Sequence, residues 1–163
     1  MTFPVPRMSP SEAEAWTGLI RVCMLLPAEL DSQLQRDSSM THFEFAVLTF
    51  VRWMPESRAS MTAIAEATNS TLSRLSHVCT RLQKRGLVHK SASASDARVT
   101  EVTLTSAGRR ELVRATPGHI ETVRRLVIDV LSDDDLAALA RITRILGERL
   151  DPSCRGDGEI PGQ

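Results

Sequence analysis

The sequence predicts a mainly α-helical fold with one small β-hairpin wing, arranged as a winged helix-turn-helix core flanked by N- and C-terminal dimerisation helices. Three observations lead there. Apolar residues recur at steps of three and four along most of the 163-residue chain, which is the spacing of one helix face. Between Leu87 and Thr105 the period changes to two, the signature of half-buried strands. A helix pair joined by a tight turn stands immediately before that change, between Ser60 and Gly86.

Each element has its own signal. Ser9-Pro10 reads as an N-cap followed by proline in the first turn, and Trp16, Leu19, Ile20, Cys23, Leu30 and Leu34 mark the face that follows. Pro27 lies inside this run and should kink it, because proline removes a backbone donor. Thr41 and Glu44 form a capping box for a second helix carrying Phe43, Val47, Phe50 and Val51, closed by "MPES". Ser60 caps a short third helix, "MTAIAEAT". Asn69-Ser70 makes a turn, and Thr71 opens the helix "LSRLSHVCTRLQK", which ends near Gly86, a residue suited to the left-handed position after a helix. "LVHK" and "VTEVTLT" are the strands of a hairpin around the small polar loop "SASASDA". Thr105 caps a further helix, which Pro117-Gly118 should break or kink before it resumes through Val123, Leu126, Val127 and Val130. Ser132 and Asp135 make another capping box, and Leu136, Leu139, Ile142, Ile145, Leu146 and Leu150 form a last amphipathic face. Residues 151–163, "DPSCRGDGEIPGQ", read as a disordered tail. The expected organisation is one domain: dimerisation helices over 10–35 and 119–150, and a winged lobe over 41–112.

Composition narrows the function. No run of 18 apolar residues exists to span a membrane. The start "MTFPVPRMSP" lacks the apolar stretch of a signal peptide, and three irregularly spaced cysteines give no disulfide framework. A reduced, cytoplasmic protein is expected. His42, His77, His89 and His119 show no metal-ligand spacing, so neither metal nor cofactor is expected. No nucleophile–base pairing is legible, which argues against an enzyme. Net charge is zero, but it is unevenly spread: −3 over residues 1–57, +6 over 58–110 and −3 over 111–163. A basic middle between acidic flanks points to an anionic partner for the middle.

That middle contains the helix pair. Ile64 and Ala65 supply the close helix crossing, Asn69 tolerates the positive φ of the turn, and Leu75 and Val78 face the first helix. On the second helix Leu72, Leu75, Val78, Cys79 and Leu82 share one face. Thr71, Ser73, Arg74, Ser76, His77, Thr80, Arg81 and Lys84 lie on or beside the other. Short hydroxyls let a helix sit deep in the major groove of double-stranded DNA, and Arg or His reaches guanine edges. A merely solvated face is the plainer alternative. The density of Ser and Thr, mediocre helix formers, counts against it. At the wing, Arg98 can enter a narrow minor groove, and Asp96 can hold the hairpin by an ion pair or by bonding loop amides.

The run "MTAIAEATNSTLSRLSHVCTRLQKRGLVHKSASASDARVTEVTLTSAGRREL" resembles the core of the MarR family, the multiple antibiotic resistance regulators. The elements that carry the likeness are "RLQKRGLV", Asp96-x-Arg98 and "VTLTSAGR". The resemblance implies a homodimer with interlocked terminal helices, binding of a pseudo-palindromic operator, repression of nearby genes, and small phenolic or anionic effectors that weaken DNA binding. It places Thr71, Ser73, Arg74, Ser76 and His77 on the recognition helix and Arg98 on the wing. This chain departs from the pattern with Asn69, where many relatives have Gly, and with a sparsely charged wing, so wing contacts should rest on Arg98. One branch of the family senses peroxide through an N-terminal cysteine supported by tyrosines. This chain has no Tyr, so Cys23, Cys79 and Cys154 are not expected to sense oxidation. Trp16 and His42 are candidates for an effector pocket between the helical base and the lobe, although core or dimer interface is the simpler place for Trp16. The other functional class open to this chain is a winged-helix protein-interaction module with no specific DNA site.

Overall fold

Ser9 and Glu12 exchange the two hydrogen bonds of a capping box, and α1 (Pro10–Ser38) starts there. The structure is a computed structural model that describes residues 8–150; the expected disordered tail and Cys154 lie outside the described residues. Helix α1 continues through Pro27 as one element and ends at Ser39, whose φ of 49° is left-handed. Then follow α2 (His42–Trp53), a 3-10 turn (Pro55–Ser57), β1 (Arg58–Ser60), α3 (Met61–Ala67), α4 (Leu72–Lys84), β2 (Val88–Ala92), β3 (Thr100–Leu104), α5 (Ser106–Val123), a π-helical turn (Arg124–Ile128) and α6 (Asp133–Leu150). The caps are the expected residues: Thr41, Ser60, Thr71 and Ser132 each accept the backbone N–H three residues on. Such a cap contributes about 1 kcal/mol.

One expectation needs correction. Helix α5 does not break at Pro117-Gly118. Its departure from regular α geometry comes about two turns later, in the π-helical stretch from Arg124. The hairpin forms as expected from β2 and β3, and a third strand joins it. The three residues of β1 pair antiparallel with β3, giving a sheet of order β1-β3-β2 in which Ala59 faces Val102 and Lys90 faces Val102 from the other side. Three residues are too few to show a period of two, so β1 left no trace in the sequence pattern.

The chain divides after Thr122 into two compact units. In the first, Leu34, Met40, Val47, Leu48, Val51, Ile64, Leu75, Leu82 and Val102 are sealed from solvent. Each buried Leu or Ile contributes about 1.5–3 kcal/mol, and together they fasten α4 to α2, α3 and the sheet. Ile64, Ala65, Leu75 and Val78 meet as the spacing predicts, and Asn69 turns the chain at φ 45°. Of the α1 face, Leu30 and Leu34 are buried and Leu34 joins this core; Trp16, Leu19, Ile20 and Cys23 are exposed. In the second unit α6 buries none of its residues: Leu139, Ile142, Ile145 and Leu146 all stand in solvent.

Candidate nucleic-acid interface

Helix α4 turns its apolar residues inward, except Leu72, which is exposed. That leaves Thr71, Ser73, Arg74, His77, Thr80, Arg81 and Lys84 open to solvent, with Ser76 half-buried beside them. Thr71 is partly committed, since its hydroxyl caps the helix by accepting the Arg74 N–H at 3.2 Å. The Thr80 hydroxyl donates to the Ser76 carbonyl and lies 3.5 Å from the Lys90 ammonium of β2. Cys79 is buried, and burial pushes its thiol up to about 11, which keeps it protonated and inert at neutral pH.

The two arginines of α4 are not free. The Arg74 guanidinium lies over the Phe43 ring, 4.2 Å from its centroid. Arg81 reaches Glu44 through both Nε and Nη2, each 3.2 Å from Oε1. Arg74, His77 and Arg81 share a cleft of about 360 Å³ with Asp31, Thr41 and Phe43. The sequence offered Arg81 as a direct contact and gave no sign of its carboxylate partner, because Glu44 already had a complete explanation as a helix cap.

At the wing Asp96 Oδ1 accepts the Arg98 N–H at 2.9 Å, and the Arg98 side chain is 95% exposed, its Nε 4.0 Å from the same oxygen. Ser93 and Val99 close the hairpin through Ser93 N–H to Val99 O, 2.8 Å. Thr105 joins wing to α5: its hydroxyl donates to the Gly86 carbonyl at 2.7 Å and accepts the Gly108 N–H at 3.0 Å.

Trp16 and His42 line different clefts. Trp16 lies along α1 with Ile20, Met24 and Leu25. His42 borders a cleft of about 590 Å³ with Asp31, Phe43, Phe50, Thr68 and Arg74. Its ring stacks on that of His119, centroids 5.8 Å apart, and His119 also meets Phe45 at 4.5 Å. Burial lowers the pKa of both imidazoles; Asp31 opposes this at His42, and His42 adds to it at His119. Among the described residues no group of three His, Cys, Asp or Glu is placed to hold a metal, and no helix is long and apolar enough to cross a membrane.

A helix pair with a three-stranded wing, presenting a hydroxylated and basic helix face and an exposed arginine on the wing, defines a winged helix-turn-helix protein of the DNA-binding class. Solved structures place it further. Over 90% of this chain and 96% of the other, it is 37% identical to Sco3205, a MarR family transcriptional regulator from Streptomyces coelicolor solved in complex with DNA, with a TM-score of 0.86. AbsC, a MarR family regulator from the same organism, is 30% identical over 90% of this chain and 98% of its own, TM-score 0.84. CouR from Rhodococcus jostii RHA1, solved with p-coumaroyl-CoA, shares the fold at 18% identity over 90% and 97% of the chains, TM-score 0.74. Neither a sequence-family model nor a curated protein matches. The chain belongs to the MarR family of transcriptional regulators.

Proposed function

We propose that this regulator is a ligand-responsive repressor that binds a pseudo-palindromic operator as a homodimer. The observation that carries the reading is the solvent-facing surface of α4 from Thr71 to His77, together with the exposed Arg98 of the wing. The likeness to a regulator solved with DNA supports it. Thr71, Ser73, Arg74, Ser76 and His77 read bases and nearby phosphates, with Arg81 at the edge of this surface. Arg98 enters the minor groove or meets phosphate, and Asp96 supports it. The unpartnered apolar faces of α1 and α6 meet the same faces of a second copy, which places Trp16 at that interface.

The effector is a small aromatic or anionic compound in the cleft of His42. Phe43 and Phe50 line it with aromatic rings, and Arg74 brings a cation. The binding of p-coumaroyl-CoA by CouR, a protein of this fold, is consistent with such a ligand. Because Arg74 also belongs to the recognition helix, an occupied cleft changes operator affinity only as far as it favours one placement of that helix over another.

Fluorescence anisotropy with duplexes from the DNA upstream of its own gene tests the reading. Arg74→Ala should cost about 1–3 kcal/mol on the preferred duplex and far less on random DNA. Arg98→Ala should weaken binding to both by similar factors and reduce the salt slope by about one unit. Equal losses on all DNA for both variants would show that α4 supplies charge without reading sequence.

A further inference from the structure

The first turn of α2 holds two arginines of the recognition helix. His42, Phe43 and Glu44 follow the cap residue Thr41; the Phe43 ring lies under Arg74 and the Glu44 carboxylate against Arg81, seven residues further along α4. Glu44 is the better placed of the two. Its Oε2 accepts the Thr41 N–H at 2.8 Å, which completes the cap, and Oε1 is left over. A carboxylate only 5% exposed is costly without a countercharge. Arg81 supplies one by turning the Nε–Nη2 edge of its guanidinium onto Oε1, while its side chain stays 57% exposed. Arg85 supplies a second: Nη1 lies 3.8 Å from Oε2 and Nη2 donates to the Ser38 carbonyl at the end of α1. The other capping carboxylates have no such duty. Glu12 and Asp135 serve exposed caps, although the sequence signature of all three is alike.

We infer that Glu44 is a positioning residue for DNA recognition: it fixes the orientation of Arg81, and so decides which edge of that guanidinium a duplex meets. The inference rests on the DNA-binding reading above. A guanidinium held by one edge presents its remaining Nη1 in a set direction, and less side-chain freedom is lost when that edge finds an acceptor. A free arginine in the same place attracts any phosphate. Glu44 thus favours the matched site over other DNA in two ways: it orients the cation, and it places one negative charge beside a surface that phosphates approach.

The test uses the full-length protein, a duplex that the wild type enriches from a random pool, and a scrambled duplex of equal length. Glu44→Gln keeps the size of the side chain and a cap acceptor while removing the charge. The ratio of affinities for the two duplexes should fall roughly tenfold, with the scrambled duplex bound at least as tightly as before. Arg81→Ala should lower the ratio too, and Glu44→Gln should then add no further loss. Should Glu44→Gln not fold, Arg81→Lys carries the test, because an ammonium keeps the charge and has no second edge to offer; the same fall in ratio is expected. A ratio unchanged in folded Glu44→Gln or in Arg81→Lys, or a further full loss on the Arg81→Ala background, overturns the role of Glu44 alone. A wild type that enriches no duplex overturns the DNA-binding reading and this one with it.

Discussion

Gly108 shows how one residue fixes the seam between wing and helix. A Cβ at that position would overlap the Leu87 carbonyl oxygen and come within 2.7 Å of the Leu104 side chain. Thr105 needs this approach, because its hydroxyl bonds the Gly86 carbonyl while capping α5. Gly108→Ala should therefore destabilise the fold by about 1–3 kcal/mol or more, since a backbone carbonyl yields less readily than a side chain; a urea melt reads this directly. Asn69 is the converse case. Its φ of 45° costs a residue with a Cβ about 1–2 kcal/mol, less for Asn, whose short side chain bonds locally. Asn69→Ala should lose stability in the same melt, and Asn69→Gly should lose little or none. Asn69 was legible in the sequence because a tight turn between two helices demands a particular backbone. The partnership of Glu44 with Arg81 and Arg85 was not, because it joins residues far apart in the chain and hides behind a local role that already accounts for the glutamate.

At the scale of elements, what could be read followed from periodicity and caps, and what could not followed from contacts across the fold. Thr41, Ser60, Thr71, Thr105 and Ser132 announced their helices because a hydroxyl before an apolar run satisfies donors that the helix leaves unpaired. Pro117 does not break its helix, since α5 continues through it. Strand β1 exists only because β3 offers it an edge. The junction of α2 with α5 is likewise a tertiary product, built on the stacked rings of His42 and His119. Both imidazoles have their pKa lowered from the ordinary 6.5, chiefly by burial. The unfolded chain therefore binds protons first. Stability from the neutral pair is fully present above about pH 6.5 and is lost as pH falls from there through the folded-state values. Thermal melts between pH 7.5 and 5.5 should show a falling midpoint. His119→Phe, which keeps a ring against Phe45, should flatten that fall. A pH dependence equal to that of the wild type would mean that other groups set it.

At the scale of the whole molecule, the charge pattern and the apolar faces divide the work. The basic segment from 58 to 110 contains α4 and the wing, whereas the acidic flanks carry the helices that remain uncovered. Charge on the flanks does not remove the cost of leaving Leu139, Ile142, Ile145 and Leu146 of α6, or Ile20, Met24 and Leu25 of α1, in water. Covering each large side chain contributes up to about 1.5–3 kcal/mol before the losses of association, so several pairs suffice for a tight dimer. The proposed pairing then gives a sharp outcome. Leu139→Glu combined with Ile142→Glu should shift sedimentation from dimer to monomer, or leave the chain insoluble. Affinity for a two-half-site operator should fall much further than affinity for a single half-site, because the second half-site is bound at high effective concentration only while the two lobes are joined. A soluble double variant that still sediments as a dimer would remove α6 from the interface and leave α1 as the surface to test next, by Ile20→Glu with Met24→Glu.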